Sequence, residues 1–443
     1  MKTKLITIIL IMACILCGCG NSEEGPNGTT ETEREPELNE NGKEEILLCS
    51  TVLSVTLQEM IVEYNTHSSR YEIVPVGPER GTSVDDYRTR LQLELSNGKG
   101  PDILSYSILQ NLEMKPYAEK GLLMDVTDFL EEQGNLVEGA VEFNRVNGRL
   151  YGVPLSFSIA TFITSKRLAG SNEVWTKDTC MQVMQDSGAS VFCESPYGWP
   201  KEESGLFVLN MLGVGRDGIQ LFVNEEEGIS SFEQQEFIEM LEFCKTYSDL
   251  MTEATTQERI ASGEVAYEIG GISGFKSFWY FDSLFGGNPV YIGYPSPQGG
   301  RFELSVASYY INSSSSHKEG ALDFLSFLMS EEQQRKMCVE DYVFPVNKDL
   351  LETMWAEASE EIIDQNTRYI EGGVEYSPRL MTDEEQQFFW NMLKNPVYHQ
   401  FGGNEIWVIV EEEAKPFFYG EKTAREVADI IDGRVQLYLD ENR

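Results

Sequence analysis

Three histidines, His67, His317 and His399, are the only imidazoles in the chain. None has the spacing of a metal-ligand pair, and no HExxH occurs. A Ser-His-Asp triad would have to recruit one of them, yet no GxSxG elbow is present to raise a nucleophilic serine. Adjacent acids such as Asp85-Asp86 and Glu411 to Glu413 read as exposed helix faces rather than acid/base pairs. One glycine-rich run, Gly213-Val-Gly215-Arg-Asp-Gly218, has the GxGxxG spacing of a dinucleotide fingerprint. That fingerprint needs a strand before it and a helix after it. Here a helix-like stretch, Phe207 to Leu212, precedes and the strand-like Ile219 to Val223 follows, so the spacing predicts a helix-to-strand turn. No metal and no cofactor is called for. Carboxylate-only glycoside hydrolysis survives these exclusions.

Thiol chemistry is concentrated at the N-terminus. Lys2 and Lys4 precede a run of 12 residues, Leu5 to Leu16, that is apolar apart from Thr7. A bilayer span needs about 20 residues. The run therefore fits the core of a secretory signal. Its junction, Leu16-Cys17-Gly18-Cys19, resembles the lipobox of bacterial lipoproteins, with Cys17 where Ala or Ser is commoner. That resemblance implies a signal segment over residues 1–19 that ends at the lipidated Cys19, cleaved before Cys19 so that it becomes the mature N-terminus. Residues 20–44 follow with eight Glu and one large apolar residue, Leu38. Such a stretch buries too little surface to offset its ordering entropy, so a disordered acidic tether is expected. After Cys19 there remain Cys49, Cys180, Cys193, Cys244 and Cys338, odd in number and without CxxC spacing. Buried thiols are the default, and a Cys180–Cys193 disulfide stays open.

The remainder, about 400 residues, exceeds the roughly 250–300 at which single cores stop growing, so two domains are expected. A formal net charge of −39 spread along the chain disfavours nucleic acid and direct adhesion to anionic lipid.

The elements can be read from periodicity. Ile46 to Cys49 is a buried strand; Leu57, Met60, Ile61 and Tyr64 repeat at helical spacing; Tyr71 to Val76 alternates as a strand. Val84, Tyr87, Leu91 and Leu95 form a second helical stripe, stopped by Gly98 and Gly100, and Pro101 to Leu104 starts a third strand. Strands alternating with helices predict an α/β fold with a parallel sheet. Its ligands bind at the carboxyl ends of strands, near Ser50-Thr51 and Ser105-Tyr106.

Gly98-Lys-Gly-Pro-Asp-Ile103, Tyr117-Ala-Glu-Lys-Gly-Leu122 and Asn147-Gly-Arg-Leu-Tyr-Gly-Val-Pro154 follow one another in order. Further on come Trp175 to Asp178, Ser313 to Phe327 with Glu331-Glu332-Gln333, Phe344-Pro-Val-Asn347, and two helix-like stripes around Gly420 between Ile409 and Asn442. Together they resemble bacterial extracellular solute-binding proteins of the maltose-binding-protein type, which serve ABC importers. The resemblance implies a two-lobed periplasmic-binding-protein-like fold closing over a solute in an interlobe cleft. Lobe one would hold 45–155 and 297–329, lobe two 160–290 and 330–443. The crossings would lie at Pro154–Ala160, after Val290–Pro295, and around Met329-Ser330.

A sugar offers hydroxyls around ring faces of C–H groups, so its site needs aromatic platforms and carboxylate or amide acceptors. The resemblance points to Tyr106 after the Pro-Asp-Ile strand, to Glu194 and Tyr197 with Trp199 behind them, and to Trp407 as a stacking tryptophan. Where maltose-binding protein carries a tryptophan after Gly271, this chain has Ile272 and Ser273. Phe275 and Trp279 are the nearby substitutes, and maltodextrin specificity is not implied. Trp175 matches a buried structural position. The expected partners are a small solute, an ABC permease and, through the lipid, the outer face of a Gram-positive cell membrane, with the receptor acting as a monomer. An anchored hydrolase and a ligand-sensing subunit are the competing functions.

Overall fold

The apolar run at Ile46 lies in the first strand, β1 (Glu44–Cys49), completely buried at Ile46, Leu48 and Cys49. The computed structural model of the protein describes residues 38–79, 81–105, 107, 114–194, 203–215, 217–248, 257–360, 366–394, 397–398 and 405–442. β1 pairs in parallel with β2 (Tyr71–Val76) and with β3 (Ile103–Ser105), in register Glu44 to Tyr71 and Leu48 to Ile103. The connecting helices, Val55–His67 and Val84–Ser96, start at Ser54 and Ser83, whose side chains accept the exposed backbone N–H groups of Leu57 and Asp86. Two short hairpin strands, β4 (Arg145–Val146) and β5 (Arg149–Leu150), precede the longest strand, β6 (Gly152–Ser165).

β6 joins the two halves of the molecule. Its first half pairs antiparallel with β12 (Glu303–Ile311), and its second half with β10 (Val265–Ile272) and β11 (Pro289–Tyr291). Beyond β10 lies β7 (Val191–Cys193), parallel to it. The sheet order is β2-β1-β3-β12-β6-β10-β7 among the described residues. Phe344–Pro345, β13, pairs with β6, and Val397–Tyr398, β16, with β12. The hairpins β8 (Val223–Asn224) with β9 (Ile229–Ser230) and β14 (Tyr369–Glu371) with β15 (Val374–Tyr376) stand apart.

The side chains of β6 change core as the strand proceeds. Val153, Leu155, Phe157 and Ile159 pack with Ile46, Ile103, Leu304, Phe324 and Trp355; Phe162 packs with Phe192, Leu241, Tyr267 and Val410. The second core is closed by the helices Glu405–Phe418 and Ala424–Glu441, the latter opened by a capping box of Thr423 and Glu426.

Two expectations change. Ile219 to Val223 is not a strand: Asp217–Leu221 is a 3₁₀ turn and β8 is only Val223–Asn224. Ile219 and Phe222 bury at a three-residue spacing that a helical turn supplies, and Gly218 packs on the Gly213 backbone, where a Cβ would lie 2.7 Å from the Gly213 oxygen. The tether gives way before Glu44: Leu38 bridges to Glu44, and Asn39 donates to Glu72 while receiving the Lys43 N–H. At Met329-Ser330 the chain simply turns from one helix into the next, Ser330 ending Lys318–Met329 and capping Glu331–Glu340. The default reading of the cysteines as buried thiols holds: Cys180 and Cys193 are free, like the other three described cysteines, and all five are buried.

Candidate functional site

The carboxyl ends of β1 and β3 carry a chain of hydroxyls. Ser107 Oγ lies 3.0 Å from Ser50 Oγ and 2.8 Å from Ser105 Oγ, and it accepts the Thr51 N–H at 3.4 Å. Ser50 Oγ donates to the Val52 carbonyl at 2.7 Å, turning the backbone outward so that Val52 is 74% exposed. Parallel strands separated by helices place these ends on one edge, the edge at which such sheets bind ligands.

Asp341, beyond the helix Glu331–Glu340, holds the corner after β1. Its carboxylate accepts from Ser54 Oγ at 2.9 Å and from Thr56 Oγ1 at 2.6 Å. The next residue, Tyr342, has φ of 54°, a left-handed conformation that costs a bulky side chain about 1–3 kcal/mol. Gly274 permits the turn, since a Cβ there would lie 2.9 Å from the Tyr342 oxygen.

Tyr342 faces the helix Phe275–Leu284 across a cavity of about 210 Å³ that is also lined by Phe275, Trp279, Val343 and Met354. Phe275 stands edge-on to Phe344 and Trp355 at centroid distances of 5.8 and 5.0 Å. Lys276 Nζ sits 4.7 Å from the Tyr342 ring centre, 4.9 Å from that of Tyr369 and 3.7 Å from Glu371 Oε2. Burial and the hydrogen bond to Glu371 push the Tyr376 phenol upward, so it stays a donor.

The remaining candidates fall elsewhere. Glu194 follows β7 and is 4% exposed, in a buried ion pair with Arg259 of the helix Gln257–Ser262. Arg259 also donates to Glu264 at 2.8 Å, and that hydrogen bond holds the Glu264 carboxyl below its ordinary range. Trp407 is half-buried on the helix Glu405–Phe418, packed against the second core and close to Gly215, where a Cβ would lie 3.2 Å from the indole. Tyr106, Tyr197, Trp199 and Cys19 lie outside the described residues. The cavity thus brings Phe275 and Trp279 together, while Glu194 pairs with Arg259 and Trp407 packs against the core of Phe162.

Sequence reading missed Ser107, Asp341, Tyr342 and Arg259. Ser107 follows the flagged Ser105-Tyr106 and could have been reached by extending the strand end. Asp341 and Arg259 act through partners 285 and 65 positions away, and no local pattern signals them. Trp175 is buried, as its position implied. No group of three His, Cys, Asp or Glu side chains able to hold a metal occurs among the described residues, and no described helix is long and apolar enough to cross a membrane.

Comparison with known proteins bears on the fold and the family. A sugar-binding protein, MalE, from Xanthomonas citri superposes with a TM-score of 0.57 at 15% identity, over 90% of this chain and 98% of its own. An ABC transporter solute-binding protein from Thermotoga lettingae, bound to α-D-tagatose, gives 0.55 at 17% identity over 89% and 99%. An ABC substrate-binding protein from Listeria monocytogenes in complex with cycloalternan gives 0.55 at 16% over 90% and 99%. These likenesses establish a periplasmic-binding-protein-like α/β fold. No curated protein matches the chain in sequence. The profile of one family, described as bacterial extracellular solute-binding protein, matches residues 60–363. The chain is a member of the bacterial extracellular solute-binding protein family.

Proposed function

We propose that the protein is a lipid-anchored cell-surface receptor that captures an oligosaccharide by lobe closure and presents it to an ABC importer. The observation that carries this reading is β6, one strand whose residues pass from one core to the other between Ile159 and Phe162. A sheet continuous through so few crossing segments can bend there while each core stays packed. The sugars bound by structural neighbours support the ligand class, and their ABC transporter names support the importer. Anchoring rests on the Leu16 to Cys19 junction. Turnover is not part of the reading, because the family and its neighbours are binding proteins.

The lobes are divided here as the sequence suggests at the first two crossings. The third is moved into the helix Lys348–Glu360. Residues 331–349 are tied to lobe one by Asp341 on Ser54 and Thr56, Lys336 on Glu59 at 3.0 Å, and Gln333 on Glu63 at 3.1 Å. Val137 N–H also donates to the Val346 carbonyl, and Lys348 N–H to that of Asn135. The hairpin β14–β15 and Arg379 pack instead with the helix Phe275–Leu284, through Lys276 and Asp282.

A thermal-shift screen against mono- and oligosaccharides tests the ligand class, with chromatography of the recovered sugars to detect turnover. For the best ligand, Trp407→Ala should weaken binding roughly 5- to 150-fold with little change in melting temperature. A large fall in melting temperature at unchanged affinity would place Trp407 in the core alone. Release of the Cys19→Ser protein into the medium, or accumulation of its precursor, is the outcome expected for the anchor.

A further inference from the structure

The cavity beside Tyr342 is both aromatic and polar. Phe275, Trp279 and Met354 give it apolar walls, and Lys276, Arg335, Tyr342, Glu357, Tyr369 and Arg379 bring polar atoms to its lining. Phe275 stands edge-on to Phe344 and Trp355 of the first core, so these walls are already in contact and need no movement of one lobe on the other. An engineered cavity of about 150 Å³ admits benzene. At about 210 Å³, this one has room for one six-membered ring with its substituents.

The charges around it are balanced without being saturated. Arg335 donates to Glu357 at 2.7 and 3.2 Å, Arg379 to Glu385 at 2.6 Å and to Asp282 at 3.2 Å, and Lys276 Nζ lies 3.7 Å from Glu371. Each of these cations already has a carboxylate, and Glu357 already has a cation. A charged guest would bring in an ion with no counter-charge waiting for it. A hydroxyl meets no such cost. Once Arg335 and Glu357 have bonded each other, the guanidinium has further N–H groups and the carboxylate further lone pairs, which suits a group that both donates and accepts. The Trp279 indole N–H is buried with no acceptor among the described residues, and an oxygen of the guest would satisfy it. The C–H faces of a sugar ring match the aromatic walls.

Tyr342 is an independent observation. Its backbone is left-handed, with φ of 54°, and it is held there from both sides. Asp341 is fixed by Ser54 at 2.9 Å and Thr56 at 2.6 Å, and Gly274 leaves room for the Tyr342 carbonyl. Strain that the surroundings enforce in this way gathers at ligand sites. Glycine would follow the same path freely, but the cavity would lose its tyrosine wall.

We propose that this cavity seats one neutral pyranose ring of the solute, an assignment that rests on the solute-receptor reading, and that it rejects uronic and amino sugars. Tyr342 is the residue whose enforced backbone sets the fit.

The test uses full-length protein with 15N-labelled tryptophan, titrated with D-glucose, D-galactose, D-mannose, D-xylose, maltose and cellobiose. At least one of these should shift the Trp279 indole resonance, assigned with Trp279→Phe, in a saturable way. D-glucuronate and D-glucosamine should bind at least about tenfold more weakly than that sugar. Tyr342→Gly should weaken the sugar at least about tenfold while its melting temperature stays within about 5 °C of wild type. A sugar that raises the melting temperature but leaves the Trp279 resonance unmoved would overturn this site and spare the solute reading. Equal affinity for the charged sugars would overturn the neutral selectivity, and equal affinity in Tyr342→Gly the part given to Tyr342. If no sugar of the panel acts on either readout, the site and the oligosaccharide reading fall together.

Discussion

At the scale of single residues, the buried Glu194 carboxylate is met by a cation. Arg259 lies between Glu194 and Glu264, and its side chain is 12% exposed against 3% for Glu194. Breaking such a pair from one side leaves an uncompensated ion. Arg259→Met should therefore cost about 3–5 kcal/mol in urea unfolding, and Arg259→Met combined with Glu194→Leu should recover most of it. A loss below 1 kcal/mol in the single variant would mean that Glu194 reaches water. Glu385 tells a similar story with a pH signature. Burial raises its carboxyl, but hydrogen bonds from Arg379 and from the Thr382 N–H outweigh that and hold it below the ordinary carboxylate range. A depressed folded-state value contributes stability above the unfolded pKa, near 4.3, and loses it as pH falls through the folded value. The wild-type melting temperature should drop steeply below about pH 4, and Glu385→Gln should start lower at pH 7 and fall less steeply in acid. Equal slopes would assign acid lability to other groups. Of these residues only Glu194 was legible beforehand, and only by resemblance. Arg259 and Arg379 find their carboxylates through tertiary folding, which leaves no periodic trace.

Among elements, legibility follows the range of the interaction. The stripes Leu57-Met60-Ile61-Tyr64 and Val84-Tyr87-Leu91-Leu95 became helices with buried faces, apart from the exposed Val84 at the second helix's start, because a 3.6-residue period is written locally. The attachment of residues 331–349 to Ser54, Glu59 and Glu63 could not be read, since it depends on polar contacts spanning more than 200 residues. The 3₁₀ turn at Asp217–Leu221 was mistaken for a strand because a short apolar run is ambiguous without its packing partners. Helix pairing also sets hard limits. Gly205, in the helix Ser204–Met211, lies under the ring of Phe418, and a Cβ there would come within 2.0 Å of it. Gly205→Ala should destabilise the second core by about 1–3 kcal/mol in chemical denaturation, whereas the better intrinsic helix propensity of alanine alone would stabilise it. An increase in stability would show that Phe418 swings away freely.

On the scale of the whole molecule, two packed cores share one sheet. β6 carries Ile159 into the first and Phe162 into the second, and the helix Lys348–Glu360 runs between the segment pinned to Ser54, Glu59 and Glu63 and the hairpin β14–β15. Closure about these segments should lower the radius of gyration in solution scattering when a true solute saturates the protein. Superimposable profiles with and without that solute would rule out a closing cleft. The parallel part of the sheet, β2-β1-β3, was legible from its strand–helix alternation; the antiparallel pairing of β6 with β12 and β10 was not, because it joins segments far apart in the chain.

The five buried thiols have a practical consequence for following such motion. Cys49, with its thiol pushed up to about 11 by burial, is accompanied by Cys180, Cys193, Cys244 and Cys338, all held above their ordinary values by burial. Thiolate is the reacting species, so none of the five competes for an alkylating dye in the native protein. A cysteine introduced at an exposed position on each side of β6 can be conjugated with donor and acceptor fluorophores while these five buried cysteines remain in place. The native packing then serves as the protecting group, and opening and closing become readable one molecule at a time.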